Sequence, residues 1–151
     1  MNIATLLASK GAKVVTVRPE YSIRQALTLL AEHNIGALVV VDAEGAPVGI
    51  VSERDIVRAL ACTEAILVHA VASIMTREVV IATPQDDLVA VGYTMTERRI
   101  RHLPVMETGR LVGIVSIGDI VKAQRDQYQG EVDTLQLQLL HEEASKVSKA
   151  S

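Results

Sequence analysis

The chain has 151 residues, 49% hydrophobic and 22% charged, enough apolar material to bury roughly two-thirds of the unfolded surface in a compact core, which excludes a disordered chain. Fifteen Lys and Arg against eighteen Asp and Glu leave a formal net charge of -3, so nothing draws the whole molecule toward nucleic acid or an anionic membrane. Trp and Phe are absent and only Tyr21, Tyr93 and Tyr128 could stack on a base, which argues against a single-strand-binding platform and leaves Val, Ile, Leu and Ala to form the core.

Met1 to Lys13 lacks the basic region, long apolar run and small-residue cleavage site of an export signal. Val14 to Val17 reads as a short strand closed by Arg18-Pro19, because proline cannot continue a central ladder. Ser22 and Gln25 form a capping box before a helix whose Ile23, Ala26, Leu27, Leu30 and Ala31 fall at helical spacing, ending near Asn34. Ala37 to Val41 is a buried strand, Asp42 to Gly45 a hairpin turn and Val48 to Val51 the returning strand; Ser52 opens another helix. Cys62, near its end, is the one cysteine. It excludes an internal disulfide and a multi-cysteine metal site, predicts a reducing compartment such as the cytoplasm, and has no pairing His to make it a nucleophile. Thr63 to Glu78 is apolar and helix-prone, which predicts packed structure rather than a tether. Its most apolar part, Ile66 to Met75, carries His69 and is about half the length of a bilayer span, so a soluble, intracellular protein is expected.

From Val79 onward the chain repeats itself. Val79 to Ala123 lies over Val14 to Ala59 with a one-residue gap before Gly45 and Gly109. Pro84 matches Pro19, Ile100 matches Ile35, and Val112-Gly-Ile-Val-Ser116 matches Val48-Gly-Ile-Val-Ser52, followed in both copies by Asp-Ile-Val. The second copy predicts a strand from Val79, a helix started by Asp86 and Asp87, and paired strands over Leu103 to Met106 and Leu111 to Val115. Two copies of under about fifty residues each are too small to be secure alone, so they are expected to pack face to face about a pseudo-twofold axis.

Ile74-Met75-Thr76, the paired segments Asn34 to Val40 and Arg99 to Val105, and above all Gly49-Ile-Val-Ser-Glu-Arg-Asp55 and Gly113-Ile-Val-Ser-Ile-Gly-Asp119 resemble the cystathionine-β-synthase (CBS) domain family, as a stand-alone tandem pair or Bateman module, over nearly the whole chain to about Gln124. The resemblance implies an α/β (α+β) fold of two β-α-β-β-α repeats. Residues 1–62 would form the first repeat with an N-terminal helix, 63–124 the connector and second repeat, and 125–151 a C-terminal helix and frayed tail. It also implies a regulatory homodimer rather than an enzyme. Such a module needs no cofactor and binds AMP, ADP, ATP, NAD or S-adenosylmethionine as effector in clefts between the repeats.

The physics of the motif agrees. A glycine ending the strand lets a ligand approach, the next helix offers N–H groups and a positive dipole end to phosphate, Ser52 and Ser116 add hydroxyls, and Asp55 and Asp119 suit a ribose diol. Ser-x-x-Asp is equally a capping box, and the serines can do both jobs. Phosphate candidates are Arg54 in the first copy and Arg101-His102 in the second, where the first copy has Gly36-Ala37; which cleft takes phosphate stays open. Lys13, Thr16 and Arg77 flank the first strands, where family ligands also touch the chain.

His33, His69, His102 and His141 have no metal-ligand spacing. CBS pairs occur inside inosine monophosphate dehydrogenases, but a catalytic barrel needs about 250 residues, more than this chain holds. In the tail, Tyr128, Val132, Leu135 and Leu139 make an apolar stripe at 4-3-4 spacing, interrupted by Glu142-Glu143, and Ser145 to Ser151 is expected to fray. The stripe either packs back on the module or serves a partner or self-association, and association is favoured. The alternative to ligand sensing is a scaffold acting through its dimer surface and this helix on an unidentified protein target.

Overall fold

The computed structural model describes residues 1–11 and 13–150. The elements are α1 (Ile3–Lys10), β1 (Thr16–Val17), α2 (Ile23–His33), β2 (Ala37–Val41), β3 (Pro47–Ser52), α3 (Glu53–Cys62), α4 (Leu88–Arg98), β4 (His102–Glu107), β5 (Arg110–Ser116) and α5 (Ile117–Ala150). The helix-prone connector forms two short 3-10 turns, Glu64–Val68 and Val71–Ser73, rather than an α-helix.

Local chemistry explains most boundaries. Ser22 Oγ accepts from Gln25 N–H while Gln25 Oε1 accepts from Ser22 N–H, starting α2. Asp87 caps α4 by accepting from Ala90 N–H. Asn34 and Arg99 end α2 and α4 in the left-handed conformation, at φ 50° and 55°. In the first half β1 runs parallel to β2, which pairs antiparallel with β3; in the second half β4 and β5 pair antiparallel.

The first strands are shorter than expected. β1 begins at Thr16, not Val14, and its counterpart in the second copy contracts to one bridge, Ala82 to Val105. Ala82 N–H donates to Pro104 O and Met106 N–H to Ala82 O, so the next ladder bonds on either side would need N–H groups at Pro84 and Pro104. Proline has none, and the ladder stops there.

Two cores form, each completed by a segment from outside its own repeat. Val17, Ile23, Leu30, Leu38, Val40, Val51 and Ile56 pack with Val71 and Met75 of the connector. Leu88, Val91, Met95, Leu103, Val105, Val115 and Ile120 pack with Ile3, Leu6 and Leu7 of α1. The N-terminal helix, which precedes the first repeat, thus finishes the core of the second. It is held there by Ile3 N–H to Asp86 O at 3.0 Å and Ala4 N–H to Pro84 O at 2.8 Å.

This interlock corrects the reading of the strand glycines. A Cβ on Gly49 would lie 2.6 Å from Met75 Sδ and 3.0 Å from Thr76 O, and one on Gly113 would lie 2.7 Å from Leu7 Cδ2. The close approach these glycines permit is made by the chain's own connector and α1, not by a ligand.

The tail also differs from expectation. Ser145 to Ala150 continue α5 instead of fraying, and Ser151 lies outside the described residues. Tyr128, Val132, Leu135 and Leu139 are all exposed, so the stripe does not pack back on the module.

Candidate functional site

Two clefts lie where the halves meet, and each takes its walls from both copies. One, of about 600 Å³, is bounded by Ile50, Ser52, Glu53, Arg54, Asp55 and Arg58 of the first copy and Glu78, Val80, Arg99, Ile100, Arg101 and His102 of the second. The other, of about 390 Å³, is bounded by Ile114, Ser116 and Asp119 of the second copy, Lys13, Val15, Asn34, Ile35, Gly36 and Ala37 of the first, and Lys10 of α1. Ile50, Ser52 and Asp55 align with Ile114, Ser116 and Asp119, and Val15, Ile35 and Ala37 with Val80, Ile100 and His102, so the clefts are related by the pseudo-twofold of the repeat. Gly36 and His102 border both.

The Ser-x-x-Asp motifs are capping boxes in both copies. Ser52 N–H donates to Asp55 Oδ2 at 2.9 Å and Asp55 N–H to Ser52 Oγ at 3.2 Å; the matching distances for Ser116 and Asp119 are 2.9 and 3.1 Å. In addition Glu53 N–H donates to Gly36 O, and Ile117 N–H to Arg101 O. Of the first three N–H groups of α3 only that of Arg54 lacks a protein acceptor, so the expected N–H cradle for phosphate is much reduced. The cap occupies Oδ2 of each aspartate, and Asp55 lines its cleft with Oδ1 not taken up by the cap.

The two aspartates then diverge. Lys10 Nζ donates to Asp119 Oδ2 at 2.6 Å and to Ile114 O at 2.7 Å. Partial burial works to raise the Asp119 pKa, but the hydrogen bonds from Lys10 and the Ser116 N–H outweigh it and hold the carboxyl below its usual range. Asp55 has no such lysine: it shares its cleft with Arg54, Arg58, Arg99 and Arg101, all exposed, and with the carboxylates Glu53 and Glu78. His102 is pushed below its ordinary pKa by burial, against the pull of Asp119 and Glu53, so near neutral pH it offers a neutral imidazole and not a cation.

Ten of the twelve expected site residues line these clefts. Thr16 does not: strand alternation puts it on the face opposite Val15 and Val17, in a shallow groove with Val41, Gly45 and Arg110. Arg77 also lies outside, its guanidinium donating to Ala72 O at 3.0 Å. Arg58 was missed although its signal was available, one helical turn after Arg54 on the same face. Arg99 was missed too, although it opens the paired segment that carries Arg101; Lys10 and Glu78 carried no local signal, because each lies apart in sequence from the motif it faces. Among the described residues no group of three metal-ligating side chains occurs and no helix is long and apolar enough to cross a membrane.

The CBS domain model matches residues 8–62 and 71–126. A CBS-domain containing protein from Agrobacterium tumefaciens is similar in structure at TM-score 0.79 and 46% identity, covering 82% of this chain and 99% of that one. The CBS domain pair of protein MJ0100, solved in complex with 5'-methylthioadenosine and S-adenosyl-L-methionine, gives TM-score 0.75 at 30% identity over 84% of this chain and 98% of its own. The CBS domain-containing protein YhcV of Bacillus subtilis is 33% identical over 112 residues, 74% of this chain and 79% of YhcV. Relatives that carry enzyme names share the segment over only 20 to 22% of their own length.

Proposed function

The chain belongs to the CBS-domain family, with two copies of the domain, and on that premise we propose that it is a regulatory module that senses an adenosine-containing ligand in the cleft facing Asp55. The observation that carries this is the convergence of Arg54, Arg58, Arg99 and Arg101 on the cleft that holds a ribose-type acceptor. Asp55 Oδ1 accepts from ribose hydroxyls, Ile50, Val80 and Ile100 supply apolar surface for the base, and the guanidinium groups hold phosphate oxygens. The structure of MJ0100 with two adenosyl ligands supports the same chemical class. AMP, ADP, ATP and NAD carry the phosphates that this cleft's guanidinium groups can hold, whereas S-adenosylmethionine has none and would rely on the ribose and base contacts alone.

Because each cleft is walled by both halves, a bound ligand favours one relative arrangement, and the size of the shift is limited by its differential affinity for the two. In this reading the protein is a cytoplasmic homodimer that reports a metabolite to a protein target and does no chemistry itself. The second reading, a scaffold with unused clefts, draws on the engagement of both aspartates in capping boxes.

Thermal-shift and calorimetric titration with AMP, ADP, ATP, NAD and S-adenosylmethionine decides between them. A true effector at 100 times its Kd adds about 2.7 kcal/mol of stability. A flat response to the whole panel at millimolar concentrations rejects ligand sensing in favour of the scaffold.

A further inference from the structure

The family match stops at residue 126, yet α5 runs on to Ala150. Beyond Gln124 it stands clear of the module for about 40 Å, all of its described side chains exposed. An isolated helix in water is marginal, and Gly130 in its middle weakens it by about 1 kcal/mol relative to alanine. Burying the exposed face that holds Tyr128, Val132, Leu135 and Leu139 against a second surface would stabilise it.

The charges at the two ends of that stripe say what covers it. Continued at the same spacing, the seam reaches Arg125 on one side and Glu142 on the other, flanked by Lys122 and Glu143. Two copies laid parallel would set Arg125 against Arg125 and Glu142 against Glu142. Laid antiparallel and centred between Asp133 and Thr134, they set Arg125 opposite Glu142, Tyr128 opposite Leu139 and Val132 opposite Leu135, with Lys122 near Glu143. Every seam residue then meets an apolar or oppositely charged partner. We propose that the α5 extension is a self-association arm that pairs antiparallel with the same segment of a second copy. The arm deepens the homodimer part of the function proposed above and rests on it only in requiring that two copies meet; ligand binding plays no part.

The test is sedimentation equilibrium on the full chain. The parent associates, Leu135→Glu shifts it to monomer, Arg125→Glu and Glu142→Arg each weaken association by roughly tenfold or more, and the double swap R125E/E142R restores most of the loss. A monomeric parent overturns the arm together with the homodimer. A dimeric parent unaffected by Leu135→Glu overturns the arm alone, placing the dimer contact on the module. Orientation is read by cysteine cross-linking in a Cys62→Ser background. Val132→Cys, only about 5 Å along the seam from its own copy, is joined by a short bismaleimide cross-linker, whereas Arg125→Cys, about 25 Å from its own copy, is not. Cross-linking at 125, or failure of the double swap to exceed the single ones, overturns the antiparallel arrangement.

Discussion

The Asp55 cleft and the Asp119 cleft share one frame, a strand ending at a capped helix opposite the other half's first strand and loop, yet they present different surfaces. The first is ringed by arginines; in the second a lysine already holds the carboxylate and a strand carbonyl. The difference arises at a few aligned positions: Arg54 against Gly118, Arg99 against Asn34, Arg101 against Gly36, and Glu78 against Lys13. Since each cleft takes one wall from each copy, the arginines that align with an uncharged residue in the other repeat, Arg54, Arg99 and Arg101, end up in the same place. Duplication supplies two binding frames, and substitution on opposite walls makes them unequal.

The largest expected effect concerns what completes each half. Leu6 of α1 is 2% exposed in the second core, so Leu6→Ala should cost about 2–5 kcal/mol of unfolding free energy, measured by denaturant titration. A near-neutral result would mean that α1 is dispensable and that the halves are not interlocked. Next, Asp55→Ala should weaken nucleotide binding by about 1–3 kcal/mol in calorimetry, while Asp119→Ala, whose carboxylate is already paired, should leave the tighter site unchanged. Each variant also loses a capping partner, at about 1 kcal/mol of stability, so binding must be compared below both melting transitions. Equal binding losses would erase the proposed asymmetry.

His102 borders both clefts and supplies a pH test. Its folded pKa lies below the ordinary 6.5, so the unfolded chain takes up the proton first. Its contribution is complete above about pH 6.5 and declines as pH falls from there toward the folded pKa. His102→Gln should flatten the stability profile in that window; an unchanged slope would assign the dependence elsewhere. The smallest stability effect belongs to Lys10→Met, below about 1 kcal/mol for a pair this near the surface. The same change should let the Asp119 pKa rise and add a second, weaker ligand site in calorimetry. The Asp119 tether itself should persist until pH falls through its depressed pKa, because a carboxylate held ionised contributes above its unfolded value and is lost below the folded one.

Much of this fold was legible residue by residue. The capping box at Ser22, the left-handed stop at Asn34 and the hairpin glycines at φ 82° and 75° rest on contacts within a few residues, and strand β2 on an unbroken apolar run that is buried throughout. The repeat then extended the first half's pattern to the second. It also misled, predicting a full first strand where Pro84 and Pro104 permit one bridge; Thr16, named from the family resemblance, lies in a separate groove.

By itself, then, the sequence determined the family, the order of elements and the two motifs at the heart of the clefts, because these follow from local hydrogen bonding, side-chain period and a duplicated motif. Only the tertiary structure decided that α1 belongs to the second core, that Arg54 and Arg101 share one cleft, and that Lys10 closes on Asp119. The physical reason is distance along the chain. Lys10 and Asp119 are 109 residues apart, and no spacing rule links side chains that meet only when two separately patterned halves pack together.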